Sequence, residues 1–101
     1  MEFQWDSGNM KHVLSDHPER ENTVEEVESV FRDPYFKAVP DRVDGGKQQY
    51  SGVGVGNEGV AKHGVFVIRN GQIRPVTCRP ASRKQRRKYE ELRNQTQNEH
   101  G

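Results

Sequence analysis

The apolar run Val65-Phe66-Val67-Ile68, followed at once by Arg69-Asn70-Gly71, constrains the fold more than any other segment. A short continuous apolar run between Lys62 and Arg69 reads as a strand buried on both faces. Asn-Gly is the preferred pair for a tight hairpin, because both central residues need positive φ. Residues Ile73 to Arg79 must then return antiparallel. Pro75 lies inside that returning strand and has no N–H. The strand is therefore an edge, or Pro75 faces away from a ladder partner.

The other elements follow from spacing. Phe3 and Trp5 alternate in Glu2 to Trp5, which predicts a short edge strand. Asp6 or Ser7 can cap a helix that runs to His17 and stops before Pro18. Met10, Val13, Leu14 and His17 share one face of it. Thr23-Val24-Glu25-Glu26 fits a capping box. The stripe Val24, Val27, Val30 and Phe31 continues that helix to Asp33-Pro34. Tyr35 to Pro40 is expected as a strand, Arg42 to Lys47 as a turn, and Gln49 to Gly56 as a weak strand. Ser82 to Gln85 forms a second capping box and opens a helix to Arg93. Residues 1–93 thus read as one domain and residues 94–101 as a flexible polar tail. The predicted order is β-α-α-β-β-β-β-α. An antiparallel sheet packed by two early helices and one late helix is an α+β fold.

The core of such a domain must be thin. Leu, Ile, Val and Phe total 20 of 101 residues, and only two are Leu. A small core of this kind gains from a partner or from self-association. Cys78 is the single cysteine, which leaves no intrachain disulfide and no Cys-x-x-Cys ligand pair. No apolar stretch approaches signal-peptide or spanning length, so a cytoplasmic location is expected.

Charge is divided along the chain. Met1 to Pro34 holds nine acids and three bases, whereas Lys62 to Arg93 holds ten bases and two acids. A phosphate-bearing partner would be held by the basic half. Other chemistries fit poorly. His12 and His17 lie about 140° apart around a helix and do not form a metal-ligating pair. Gly52-Val53-Gly54-Val55-Gly56 lacks the following helix and the Gly-Lys-Ser/Thr of a phosphate loop, and reads as a bent or bulged strand. Cys78 alternates with Val76 and reads as a packing residue. No cofactor is expected. The remaining constellation is Arg74, Arg79, Arg83, Lys84, Arg86, Arg87, Lys88 and Tyr89, with His17, Lys62 and His63. Lys84, Arg87 and Lys88 can be a merely solvated helix face. Arg74 and Arg79 stand on strands, where an idle Arg is costly.

The chain resembles the BrnT-type toxins of bacterial type II toxin–antitoxin systems. The resemblance rests on Phe3-Gln4-Trp5-Asp6, on His17, and on Glu25 to Phe31 with Asp33-Pro34. It also rests on the ending Ile73-Arg74-x-Val76-Thr77-x-Arg79-x-Ala81-Ser82 with Arg86 and Tyr89-Glu90. The chain differs from the family pattern at Asn9, Pro18, Gln49, Lys62 and Gln85. The resemblance implies a RelE-like fold and a metal-independent endoribonuclease that cleaves RNA, most simply mRNA, and slows translation. It implies His17 or His63 as base, and Arg74 and Arg79 around the phosphorane. Tyr89 or Arg83 would assist the leaving oxygen, and Lys62 would stand for the basic residue that opens the central strand. Arg83, Arg86, Arg87 and His63 would bind RNA. A small antitoxin of the ribbon-helix-helix type would cover the basic face, in a hetero-oligomer or beside a homodimer. Two other readings fit the residues: a non-catalytic module binding nucleic acid or antitoxin, and a structural domain whose basic helix only solubilises it.

Overall fold

The expected hairpin is at the centre of the computed structural model of the chain, which describes residues 2–99 and side chains through residue 96. Asn70 and Gly71 both take positive φ, 53° and 74°. They join β3 (Ala61–Arg69) to β4 (Gln72–Pro80). A second tight turn at Gly45-Gly46, with φ of 58° and 78°, joins β1 (Val39–Asp44) to β2 (Lys47–Val55). The four strands form one antiparallel sheet in the order β1-β2-β3-β4. With α1 (Ser7–Met10), α2 (Val24–Arg32) and α3 (Arg83–Glu99), the chain is an α+β domain. No helix among the described residues is long and apolar enough to cross a membrane.

α2 matches its sequence reading. Thr23 caps it, accepting the Glu26 N–H at 3.1 Å. The reciprocal half of the capping box does not form. Glu26 turns inward, and its buried carboxylate accepts the Glu58 N–H at 3.2 Å and the Ser29 hydroxyl at 3.2 Å. The second box forms in full: Ser82 accepts from the Gln85 N–H at 3.1 Å, and Gln85 accepts from the Ser82 N–H at 2.9 Å. Val13, Val27, Val30, Phe31, Phe66 and Cys78 make the buried core. Phe31 is its hub, with ring centroids 5.2 Å from Phe36 and 5.5 Å from Phe66.

Several expectations need correction. Glu2 to Trp5 is not a strand but a single parallel bridge, Phe3 to Ile73. The Ile73 N–H donates to Glu2 O and the Gln4 N–H to Ile73 O, each at 2.8 Å. The next rung would need an N–H on Pro75, which has none. Asn9 fills the gap, its amide donating to Gln4 O at 3.0 Å and Pro75 O at 3.3 Å. Asn9 is therefore buried in place of Met10, which is exposed. The first helix also stops being α-helical at Met10. A wide π turn, Lys11–Ser15, follows and closes with the Asp16 N–H donating to Lys11 O, so the expected run to His17 is broken. A short 3-10 turn, Pro18–Arg20, follows. Tyr35 to Pro40 is not extended throughout. Asp33 accepts from the Tyr35 N–H with its side chain and from the Phe36 N–H with its carbonyl, both at 2.9 Å, and so turns the chain. β1 begins only at Val39 and runs to Asp44, so the turn expected over Arg42 to Lys47 narrows to Gly45-Gly46. α3 continues past Arg93 to Glu99, and the rest of the predicted tail, residues 100–101, lies outside the described residues.

The Gly52 to Val55 stretch carries no bulge. Its register against β3 is unbroken from Tyr50–Phe66 to Val55–Ala61. The glycines instead form one smooth face under α2. A Cβ at Gly52 would sit 2.7 Å from Phe36, and one at Gly64 on β3 would sit 2.7 Å from Phe31. At Gly54 it would overlap the Val30 carbonyl, and at Gly56 the Glu26 carboxylate. Close backbone approach of helix to sheet is the reason for these glycines. Gly54→Ala is expected to lower unfolding stability by roughly 1–3 kcal/mol, read as a lower urea midpoint with an unchanged slope. An unchanged midpoint would mean that α2 does not rest on the sheet there.

Candidate nucleic-acid site on the open sheet face

Side chains alternate between the faces of a strand. Gly52, Gly54 and Gly64 face α2, so Val53, Val55, His63 and Val65 point to the opposite face. The pairing places Val53 beside His63, and His63 beside Arg79. A bulge between Val65 and Phe66 in the β3–β4 pairing brings Arg79 into this row. The next row is Ser51, Val65 and Thr77.

α3 leaves β4 and lies against one end of this face, with a groove on either side. Gln85, Lys88 and Leu92 line one groove together with Val53 and Val39. Arg86, Glu90 and Arg93 line the other with Val55, Ala61 and Pro80. Tyr89 is the one buried side chain of the helix among the described residues and anchors it.

His63 is half-buried. Burial holds its pKa below the usual 6.5, the neighbouring Arg79 charge lowers it further, and Asp41 opposes them. Its Nδ1 is buried with no hydrogen-bond partner among the described residues. A neutral imidazole of this kind can accept a proton at neutral pH. Arg79 donates only to Pro80 O, at 3.3 Å, and makes no ion pair among the described residues. An unpaired guanidinium beside a neutral imidazole can bind a phosphate and move a proton near it.

The other sequence candidates do not join this pair. Arg74 grips Asp6 through two hydrogen bonds, 2.8 and 3.2 Å. Those bonds, with the Asn9 N–H, hold the Asp6 carboxyl down to about 2. Lys62 is 3% exposed and on the α2 face, where its Nζ donates to Asn22 at 3.2 Å and lies 3.6 Å from Glu58. Tyr89 donates its hydroxyl to Asp33 at 2.5 Å. Burial and that bond push its pKa up to about 12. His17 belongs to the helical layer, edge-on to His12 with centroids 6.4 Å apart and 3.8 Å from Glu19. Cys78 is fully buried, and burial pushes its thiol up to about 11, as expected of a packing residue. Arg83, Arg86 and Arg87 gather with Glu90 around a shallow outer pocket. Lys88 is exposed, as read from the sequence, and stands at the rim of the groove beside Val53.

No family model matches the chain, and no curated protein matches it. Among the described residues no three of His, Cys, Asp and Glu converge as a metal-ligand group would.

The His63–Arg79 pair gives a pH prediction. His63 binds a proton less readily in the folded chain than in the unfolded one. Its contribution to stability is therefore present above the ordinary His range and is lost as pH falls through the lowered folded value. Proton NMR titration should show His63 titrating below 6.5, and Arg79→Gln should move that midpoint up, since a repelling charge is removed. An unmoved midpoint would mean that the two side chains do not meet.

Proposed function

We propose that the chain is a metal-independent endoribonuclease toxin, held in check in the cell by a small antitoxin. The observation that carries the reading is a half-buried His63, its pKa held below 6.5, facing an Arg79 that makes no ion pair among the described residues, on a sheet face bordered by a basic helix. The resemblance to BrnT-type toxins points to the same chemistry. The ribose 2′-hydroxyl attacks the adjacent phosphorus while His63 takes its proton. Arg79 meets the charge that develops on the phosphoryl oxygens. The bond to the 5′-oxygen breaks, and that oxygen takes a proton from water. The products are a 2′,3′-cyclic phosphate and a 5′-hydroxyl.

The roles implied for Arg74, Lys62 and Tyr89 change in this reading. Each is held by a partner inside the fold, so each fixes the frame of the site. His17 takes no part. Tyr89 is a poor acid here because its proton is committed to Asp33. That same observation favours a second reading, a module that binds RNA or an antitoxin without cutting, because no side-chain acid stands ready for the leaving oxygen. In both readings an acidic antitoxin, of the ribbon-helix-helix type by resemblance, covers Arg79 and Arg83 and competes with RNA.

Induced expression in bacteria, followed by RNA end analysis of the purified protein's products, tests the proposal. Growth arrest and fragments ending in 2′,3′-cyclic phosphate are expected, unchanged by EDTA. Arg79→Ala should slow cleavage by about tenfold to 150-fold, the value of one charge-assisted contact of roughly 1.5–3 kcal/mol. His63→Ala should do at least as much. Arg74→Ala should act on stability, since its partner is Asp6 and not substrate. RNA that is bound but stays intact would select the second reading.

A further inference from the structure

We infer that the groove between α3 and the start of β1 is the subsite for one unpaired nucleobase next to the scissile phosphate. The inference rests on the proposed RNA site at His63 and Arg79 and names what lies beside it. The groove has a volume of about 460 Å³, and its walls include Tyr35, Val39, Val53 and Leu92. Lys37 and Lys88 stand at its rim, both exposed. Neither makes an ion pair among the described residues.

Three observations select a nucleotide as the occupant. The walls are apolar, while every charged residue lining the groove is cationic. That combination suits a flat apolar ring carried on an anionic backbone. Next, the groove is continuous with the proposed site. Val53 pairs in register with His63, one strand spacing of about 4.8 Å away. A strand whose phosphodiester lies on His63 and Arg79 therefore brings a neighbouring base over Val53. Finally, the opposite side of α3 offers no equivalent. Its groove carries Glu90 beside Arg86 and Arg93, and Arg93 is already drawn over the Tyr35 ring at 5.7 Å. Lys37 and Lys88 thus hold the flanking phosphates, and Val53, Leu92 and Tyr35 bound the base. The width of this groove sets base preference at that position.

The test uses fluorescence anisotropy with non-cleavable 2′-deoxy oligonucleotides of each base, together with mapping of cleavage sites on RNA. The variants are Lys37→Ala/Lys88→Ala and the groove-filling Leu92→Trp. The double lysine variant should bind more weakly, and its salt dependence should flatten by about 1.4 in log–log slope, as for two lost phosphate contacts on a single strand. Leu92→Trp should lose about five- to 150-fold in affinity, the range for one base contact, and should change the base preference at cleavage sites. Circular dichroism on both variants guards against misfolding. Unaltered affinity, slope and base preference in both variants, with Arg79→Ala still impaired, would overturn the subsite and leave the cleavage site standing. Weakened binding to the antitoxin with RNA binding intact would overturn it too, and would make the groove a protein-docking surface. Failure of the wild-type chain to bind any oligonucleotide would overturn both.

Discussion

One carboxylate joins α2, β2 and α3. Asp33 ends α2, and its two oxygens accept from the Tyr35 N–H at 2.9 Å, the Val55 N–H at 2.7 Å and the Tyr89 hydroxyl at 2.5 Å. The first bond turns the chain out of the helix. The second satisfies an N–H on β2 beyond the point where β1 stops pairing with it. The third fastens α3. Without Asp33, α3 would rest on Tyr89 and a narrow seam of Gln85, Leu92 and Thr96, and both grooves beside the open face would lose a wall. The position of the candidate site thus depends on a group that lies outside it.

Other polar clamps act in the same way where the core is too thin to do so. The Asn22 amide donates to Cys78 O at 2.8 Å and Val13 O at 3.3 Å, and its oxygen accepts from Lys62. Glu26 ties α2 to the β2–β3 connection through Glu58. Each clamp is a buried or half-buried polar group with its partners supplied, the condition under which such groups stabilise rather than cost. The glycines of β2 serve the same end. They bring the α2 backbone onto the sheet, so that few and small apolar side chains suffice to fill the space between.

The hairpin, α2 and the Ser82–Gln85 capping box were legible because each is a local pattern: two turn residues, a stripe of period 3.6, two capping side chains. What was not legible is non-local. Counting back from the Asn70-Gly71 turn, an unbroken ladder sets His63 opposite Cys78. The extra residue in β4 shifts the pairing by one and puts Arg79 there instead. That single shift makes a chemical pair from what would be a histidine against a buried thiol. Pro75, next to the extra residue Val76, is the one local hint, since a proline inside a strand lies at an edge or at a bulge. The period-two glycines were a readable signal of close approach, but a bend fits the same residues until a helix is known to lie over them. Asn9 is the clearest case of interdependence, since its burial follows from a missing N–H on Pro75, sixty-six residues away.

Charge density alone singles out α3, whereas the proposed site uses Arg79 of β4. The densest basic run is on α3, yet most of it faces outward or is shared with Glu90, where a solvated charge binds phosphate weakly and without geometry. A phosphate needs donors whose directions are fixed, and a proton transfer needs a base that is uncharged. In the proposed site the sheet would supply both, because strands hold neighbouring side chains at a set spacing and partial burial lowers the pKa of His63. Arg74 shows the contrast. It is on the same strand as Arg79, but Asp6 neutralises it, so it braces the N-terminal segment against β4. Two arginines five residues apart thus have opposite uses, decided by whether an acid reaches them first.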